Sequence, residues 1–503
     1  MNVLKSPGDF RLLAILFALF ALTACGQQEQ SAAEVADETS LPDKVPVTTS
    51  SDEARALYEE GIALADNLHF IEANAAFAKA VKIDREFAMA YLRLAQSSQS
   101  AAAFFKAVGL AEDYAKYGTE GEQLYIRALI AGAENDQATQ RESLFALMRM
   151  YPKDERTHMQ VGNYFTGQQN FADAVKHYGH ATAINPEFAA AFNALGYAHR
   201  NNDDLADARQ AFARYVELIP DEANPYDSYA ELLLEMGKYD ESIENYRKAI
   251  EIDPNFISAY AGITISQSLQ GDAEAAQATA AEMLAAARNS GQRQAAMFRS
   301  VTSHLFSGDL AAALAVSEQR FAAAEAEGNH ATMGGIREYM GDIVVVTGDG
   351  DRALEYYASA LTHRQKSNIN DANKAQAERA YLFKAAVAAM VGGDHETLAS
   401  RAAEYTAAVE ENGTAGERLR IYELAGYLAA VNEDFTTSAA ELDQASQLNP
   451  IVLYWSAMAN HGIGNTEKAK DLATRAANRN TLSPNLPFFR SHALQLLEAL
   501  EAD

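Results

Sequence analysis

Cysteine is nearly missing from this sequence of 503 residues, which contains a single one, Cys25. One thiol cannot close a disulfide within the chain, so the fold must be stable without one. Proline is also scarce, at 11 residues, and the sequence lacks the alternation of strand and helix patterns that is typical of a cofactor-binding fold. Together with the abundance of alanine, these shortages favour helices over strands.

Basic residues are outnumbered, because 41 Lys and Arg stand against 69 Asp and Glu, for a net charge of −28. Binding to nucleic acid needs a basic surface that displaces counterions from the phosphates, so we exclude nucleic acid as a partner. The same charge disfavours broad contact with anionic lipid headgroups. An acidic surface of this kind is most simply explained as a solubilising one.

Residue patterns of enzymes are missing as well. The segment "HGIGNTEKAK" lacks the GxxxxGK[ST] order of a phosphate-binding loop, and no strand pattern precedes it. His177 and His180 lie three positions apart, but zinc would need further ligands and no cysteine is available, so we expect both on the surface and His158 in helix packing. The carboxylates lie in polar stretches that do not shift a pKa toward a catalytic value. We therefore predict no enzyme, no cofactor and no metal.

Long apolar runs are limited to the N-terminus. Lys5 and Arg11 accompany "LLAILFALFALTA", an apolar core of 13 residues. This core is shorter than the roughly 20 residues that span a bilayer, so residues 1–24 are predicted to be a cleaved signal. The cysteine directly follows Leu22-Thr23-Ala24, and this arrangement resembles the lipobox of bacterial lipoproteins.

The lipobox resemblance implies that the mature chain begins at Cys25, with lipid such as palmitate on its sulfur and amino group. Two or three acyl chains would hold the protein on a membrane, since one chain alone is a marginal anchor. Residue 26 is Gly rather than the Asp that commonly retains such lipoproteins at the inner membrane, so the resemblance implies the periplasmic face of the outer membrane. An ordinary signal with a cysteine placed by chance remains the alternative. Residues 25–52 are polar and are predicted to be a flexible tether.

A repeat of 34 residues runs through the middle of the chain, where Pro152, Pro186, Pro220 and Pro254 recur at that spacing. Behind them the same pattern returns, as in "HMQVGNYFTGQQNFADAVKHYGHATAINP" and "FNALGYAHRNNDDLADARQAFARYVELIP". Each copy has a small residue in its first helical segment and an aromatic one in its second, in the pairs Gly162 and Tyr178, Gly196 and Phe212, and Ala230 and Tyr246. These segments resemble the tetratricopeptide repeat (TPR).

The TPR resemblance implies an all-α fold, an α-solenoid in which helical hairpins stack as a right-handed superhelix. The predicted organisation is a signal peptide at 1–24, a lipidated cysteine and disordered tether at 25–52, and a TPR array at 53–286 with its strongest copies at 155–256. Degenerate TPR-like helical repeats follow at 287–480, and a capping helix at 481–503. In the degenerate part, recurrent Gly-Asp pairs predict a helix end followed by a helix cap.

In this family a partner binds in the concave groove lined by the first helix of each repeat. Mapping the strong copies onto that frame gives a predicted binding face of Met159, Asn163, Asn193, Tyr197, Arg200, Asp227 and Glu231. The alternative is that these are merely exposed helix residues. The basic clamp that some members use to hold two carboxylates is missing, because its basic positions are Met159, Asn224 and Ser228 here.

The sequence thus predicts a non-enzymatic, lipid-anchored periplasmic scaffold that binds a protein or peptide of the cell envelope in its groove. The alternative is that residues 287–480 bind a small ligand or saccharide, or hide a hydrolase. A deep apolar pocket with convergent polar groups would favour that alternative. The sequence leaves the identity of the partner and the oligomeric state open.

Overall fold

The computed structural model describes residues 42–67, 69–98, 100–478, 480 and 486–502. Residues 1–41 form a unit separate from residues 42–503 and lie outside the described part. The predicted signal at 1–24, the lipidation of Cys25 and most of the predicted tether therefore remain predictions.

Helices form nearly all of the described chain, and no strand occurs among the described residues. The helices of the first half are α1 (Asp52–Asp66), α2 (Phe70–Ile83), α3 (Ala88–Gln96), α4 (Ala101–Ala115), α5 (Glu120–Ala133), α6 (Gln137–Met150), α7 (Glu155–Gly167), α8 (Phe171–Ile184), α9 (Ala189–Asn201), α10 (Leu205–Leu218), α11 (Ala223–Glu235), α12 (Tyr239–Ile252), α13 (Ile257–Gln270) and α14 (Ala273–Ala286). The predicted all-α class is confirmed.

The second half continues in the same way, although its helices are less uniform. They are α15 (Ser290–Phe306), α16 (Leu310–Ala326), α17 (His330–Val345), α18 (Gly350–Lys366), α19 (Asp371–Val391), α20 (His395–Asn412), α21 (Ala415–Val431), α22 (Phe435–Leu442), α23 (Pro450–Gly462), α24 (Thr466–Asn478) and α25 (Leu486–Ala502). In the described part, no helix has the length and hydropathy of a membrane-spanning segment.

Each odd-numbered helix packs against the even-numbered helix that follows it, and each such pair packs against the next. The close approach within a pair depends on the small residue that the sequence pattern identified. A Cβ atom added to Gly162 would lie 2.4 Å from the Tyr178 ring, and one on Gly196 would lie 2.7 Å from the Phe212 ring. Glycine therefore lets each aromatic ring fill the space between its two helices.

Helix ends follow the predicted turn chemistry. Each of the four spaced prolines lies just beyond the end of an even-numbered helix, as α8 ends at Ile184 before Pro186. In the second half, Gly271 has a φ of 82° and Asp272 accepts from the backbone of Ala275. Gly308 and Asp309 repeat that arrangement. Both parts of the Gly-Asp prediction are confirmed, since glycine tolerates the left-handed conformation and aspartate caps the next helix.

Within residues 42–503 the array folds back, so that turns of the first half contact the second half. The turn residues Asn135, Gln169 and Asp203 lie 34 positions apart and all have positive φ, between 56° and 63°. The polar contacts between distant parts of the two halves include Asn135 Nδ2 to Gly413 O at 3.4 Å, Ser446 Oγ to Gln169 Oε1 at 2.9 Å, Arg475 to Asp203 at 3.6 Å, and Asn480 Nδ2 to Glu235 O at 3.3 Å. Turn residues that are spaced by one repeat thus line up to contact the second half.

Residues 42–51, which we call the strap, belong to the predicted flexible tether but lie against the folded body. Three of its backbone N–H groups donate to buried carboxylates near the starts of α7, α5 and α3: Val45 to Asp154 at 2.8 Å, Thr48 to Glu122 at 2.7 Å and Ser50 to Asp84 at 2.8 Å. Lys44 adds an ion pair with Glu155 at 2.7 Å. The structure therefore differs from the expected tether over these residues.

The physical reason for the docked strap is that it adds donors to buried carboxylates, which also accept from backbone groups near the helix starts. The Glu122 and Asp154 residues are only 1% and 5% exposed, and buried carboxylates without partners are costly. Burial by itself would raise the pKa of Asp84, but hydrogen bonds from Thr49 and Ser50 outweigh it and lower that pKa. A composition that is polar and contains proline indicates disorder only when no complementary surface exists elsewhere in the chain.

Candidate functional site

Five of the seven predicted groove residues lie on α9 and α11, and Arg200 contacts two of the others, Tyr197 and Glu231. The guanidinium group of Arg200 lies 4.7 Å from the Tyr197 ring centroid, and its Nη1 donates to Glu231 Oε2 at 2.8 Å. Tyr197 Oη donates to Ser228 Oγ at 3.2 Å. Much of the polarity of this cluster is therefore used within the protein rather than left for a ligand.

Two oxygen atoms of this face have no partner. Asn193 Oδ1 and Asp227 Oδ1 are buried without a hydrogen bond in the described structure, and the two residues occupy equivalent positions one repeat apart. Burial, together with the nearby charge of Glu231, raises the pKa of Asp227 to about 8. At neutral pH Asp227 is therefore mainly protonated, and its carboxyl group can donate as well as accept.

The remaining two predicted groove residues lie apart from this cluster. Asn163 accepts a hydrogen bond from Tyr178 Oη at 2.8 Å. Met159 packs against the apolar group that contains Phe188 and Ala191. Asn163 thus serves contact between α7 and α8, and Met159 serves contact between α7 and α9.

The second half contains three neighbouring cavities, lined mainly by the odd-numbered helices α17, α19, α21 and α23. Cavity one has a volume of about 370 Å³, cavity two about 280 Å³ and cavity three about 450 Å³. Lys384 lines cavities one and two, Glu423 lines two and three, and Arg420 lines one and three. These shared lining residues place the three cavities next to one another, and we call this row of cavities the groove of the second half.

Cavity two is the most apolar of the three, and α25 closes one side of it. Its apolar lining consists of Val345, Val346, Phe383, Val387, Met390, Val391, Ile451, Tyr454, Trp455, Phe488 and Phe489. Trp455, expected from the sequence to be a packing residue, does pack against Tyr427 at a centroid distance of 5.4 Å. It also lines this cavity, a role that its place in a terminal repeat did not reveal.

Most polar groups of cavity two bond to one another. Asp342 Oδ1 accepts from Lys384 Nζ and from Tyr357 Oη, each at 2.7 Å. Glu423 Oε1 accepts from Tyr427 Oη at 2.8 Å. Burial raises the pKa of Glu423 despite that hydrogen bond, so this side chain favours its neutral form.

Charged groups surround the other two cavities. Arg379 and Glu417 form a buried ion pair with Nε and Oε1 2.9 Å apart. Burial alone would raise the pKa of Glu417, but the hydrogen bonds from Arg379 and Thr414 lower it. Arg420 is exposed and packs over the Phe383 ring at 5.1 Å, and no ion pair is found for it within the described residues.

The histidines of the first half pack together instead of lying separately on the surface. His158 is buried, as expected, and its Nδ1 lies 3.3 Å from His177 Nδ1, while its Nε2 donates to Pro152 O at 3.1 Å. His177 is half-buried and His180 exposed, so the surface expectation holds only for His180. Burial lowers the pKa of both His158 and His177. Over the described ranges, no group of three or more His, Cys, Asp or Glu is placed to hold a metal.

Comparison with known proteins identifies the repeat. The family described as "TPR repeat" matches residues 230–271, which run from α11 to the turn after α13. The chain contains a TPR repeat. The described residues therefore form an all-α TPR-type solenoid, extended from that matched copy by helical pairs on both sides.

Relatives share only short stretches with this TPR chain. Hsp70-Hsp90 organizing protein 2 of Arabidopsis thaliana is 29% identical over 94 residues, which are 19% of this chain and 16% of that protein. The UDP-N-acetylglucosamine--peptide N-acetylglucosaminyltransferase of Giardia intestinalis is 23% identical over 136 residues, 27% of this chain and 9% of that protein. The chain thus spans less than a fifth of the length of either relative.

A solved tetratricopeptide repeat protein from Parabacteroides merdae is similar at 14% identity. It covers 54% of this chain and 99% of its own, with a TM-score of 0.40. We take no site, partner or activity from this likeness.

Proposed function

We propose that this protein is a non-enzymatic scaffold that holds a protein or peptide partner in the groove of its TPR array. One observation carries the proposal, the row of three neighbouring cavities between α17 and α25. A groove with several neighbouring parts suits an extended chain, which places successive side chains in successive parts. The relatives named for organizing Hsp70 and Hsp90 agree with a scaffold role.

The proposal favours binding over catalysis because the groove's polar groups are engaged with one another. Asp342 is bonded to Lys384 and Tyr357, and Glu423 to Tyr427. A catalytic acid or base would need to reach a substrate proton directly.

We further propose that the protein is lipid-anchored through Cys25 in the bacterial cell envelope, at the outer membrane facing the periplasm, and that the partner is an envelope protein or peptide. The lipobox resemblance supports the anchor. Cys25→Ala should leave the chain unlipidated and change its membrane fractionation. Unchanged fractionation with an unmodified mass would refute the anchor without touching the scaffold proposal.

Site-specific photocrosslinking in cells tests the groove. A crosslinker at the exposed Gln376, which lines cavities one and three, should capture a discrete partner, whereas one at the exposed Glu251 of α12 should not. Asn193→Ala and Asp227→Asn should weaken that capture if the partner also uses the unpaired oxygens of the first half. These two substitutions are a better test than the removal of Arg200, because the loss of Arg200 would leave Glu231 without its ion-pair partner. Equal capture from both crosslinker positions would contradict the proposal.

A second candidate function is the binding of a small apolar molecule in cavity two. The observation that favours it is the apolar lining closed on one side by α25, which is typical of ligand pockets. The same lining argues against a saccharide, since a sugar needs many polar partners and most of those here are already bonded to each other.

A further inference from the structure

Cavity two combines an apolar wall with one buried acid. Trp455 and Phe489 belong to the wall, and Glu423 lines both cavity two and cavity three. Burial raises the pKa of Glu423, and in its protonated form this carboxyl group adds a hydrogen-bond donor without adding a charge to the apolar space. The cavity, at about 280 Å³, has room for one large side chain rather than a folded element.

Cavity two adjoins both other cavities, since Lys384 also lines cavity one and Glu423 also lines cavity three. A chain that lies along the three cavities can place one side chain in cavity two and its neighbouring residues in the other two. A small molecule held in cavity two would use only one of them. The row of cavities therefore favours an extended segment as the occupant.

The segment should carry a negative charge next to its apolar side chain. Arg420 lines both neighbouring cavities and has no ion pair within the described residues, whereas Lys384 and Arg379 are each paired with a carboxylate. An exposed guanidinium group above the ring of Phe383 is preorganised for a carboxylate.

We propose that cavity two receives one bulky apolar side chain of an extended partner segment while Arg420 binds an acidic residue next to it in the partner's sequence. This inference rests on the proposed scaffold function and names the chemistry of the partner at that groove. An acidic partner residue would be repelled by this chain as a whole, which carries a charge of −28. Arg420 attracts such a residue locally.

Trp455 offers a direct measurement, because it is the single tryptophan of the chain and lines the cavity. The full chain bound to phosphatidylcholine vesicles is titrated with a Gly/Ser peptide of about 12 residues that carries one Asp-Phe pair. We expect a blue shift of Trp455 emission as the Phe ring covers the indole. Replacing Phe by Ala in the peptide should weaken binding by about tenfold or more, as for anchor residues of interfaces.

Three variants separate the contributions of cavity shape, of the Arg420 charge and of the Glu423 carboxyl group. Val387→Phe, which fills the cavity from α19, should abolish the response, and its unfolding temperature should stay near that of the wild type because the added ring enters empty space. Arg420→Gln should remove the preference for Asp over Asn in the peptide, a preference of about threefold for an exposed pair. Glu423→Gln should change binding less than twofold, because the amide also donates without carrying charge.

Several outcomes would overturn the inference. Equal binding of the Ala and Phe peptides, or an unchanged response in a folded Val387→Phe variant, would show that no side chain enters the cavity. A blue shift with toluene but none with any peptide would assign cavity two to a small molecule. Capture of a partner by the crosslinker at Gln376 in cells, combined with no peptide binding in vitro, would refute this chemistry and leave the scaffold proposal standing.

Discussion

The regular copies at 155–256 and the irregular repeats at 287–480 are built from the same hairpin but differ in uniformity. Helices α7 to α12 all have 13 or 14 residues, whereas α15 to α21 have 16 to 21. The regular copies bond most of their inner polar groups to each other, as Arg200 does with Glu231. The three neighbouring cavities are lined mainly by the irregular part, together with α25 and with Gln169 of a regular copy. The most apolar of them, cavity two, thus occurs where the helices depart from the uniform repeat length.

The largest expected difference between the two regions concerns ion pairs. Glu417→Gln in the irregular part should lower the free energy of unfolding by about 3–5 kcal/mol, because it leaves the buried Arg379 without its partner. Glu251→Gln in the regular part removes an exposed pair with Lys248 and should cost no more than about 1 kcal/mol. Urea unfolding followed by circular dichroism measures both. Similar losses would mean that the burial of the Arg379–Glu417 pair confers no extra stability.

The next effect concerns close packing in the regular copies. Gly162→Ala should destabilise the fold by about 1–3 kcal/mol, since the new Cβ would overlap the Tyr178 ring. The matched control is Gly179→Ala on the neighbouring α8, where an added Cβ meets nothing within 4 Å. That control should stabilise by up to about 1 kcal/mol through helix propensity. A loss of stability in both variants would point to glycine flexibility rather than packing.

Acidification should affect the regular copies through the His158–His177 pair. Because burial lowers both pKa values below the ordinary 6.5, the unfolded chain binds more protons than the folded one as the pH falls below about 6.5. Stability should therefore decrease in that window, despite the opposing charge of Asp154 near His158. His177→Gln should flatten the dependence of the melting temperature on pH between 7 and 5. An unchanged slope would exclude the pair as its source.

The smallest effect tests whether the two regions unfold together. Ser446→Ala removes the hydrogen bond to Gln169 across the fold-back contact and should cost about 0.5–1.5 kcal/mol. A double-mutant cycle with Gln169→Ala isolates the interaction from other effects of each substitution. If the halves are independent, the loss will appear in only one of two separate unfolding transitions.

Much of the framework was predictable from the sequence because it depends on local chemistry. The spaced prolines, the Gly162 and Gly196 positions and the Gly-Asp turns each act over one hairpin, and all are found in the predicted roles. Helices α11 and α12 also approach closely at Ala230, whose backbone oxygen accepts from Ser242 Oγ at 2.8 Å. Local rules of this kind need no knowledge of distant contacts.

The candidate site was less predictable because it depends on distant contacts. Asn193 and Asp227 were placed on the inner face by their repeat positions, but nothing in the sequence indicated that Arg200 would be held by Glu231. The groove in the second half joins residues from α17 to α25, more than 140 positions apart. Trp455 next to Tyr454 is the one visible signal, and it is equally typical of simple packing.

The docked strap also determines where a pull on the N-terminus is felt. A force transmitted from residue 41 would reach Asp43, Lys44 and Val45 first, beside the start of α7, and not the first helix of the array. The bonds of Thr48 and Ser50 would then be loaded in turn. Because these attachments break one after another, the slack released at each step lengthens the tether while the helices behind it remain folded.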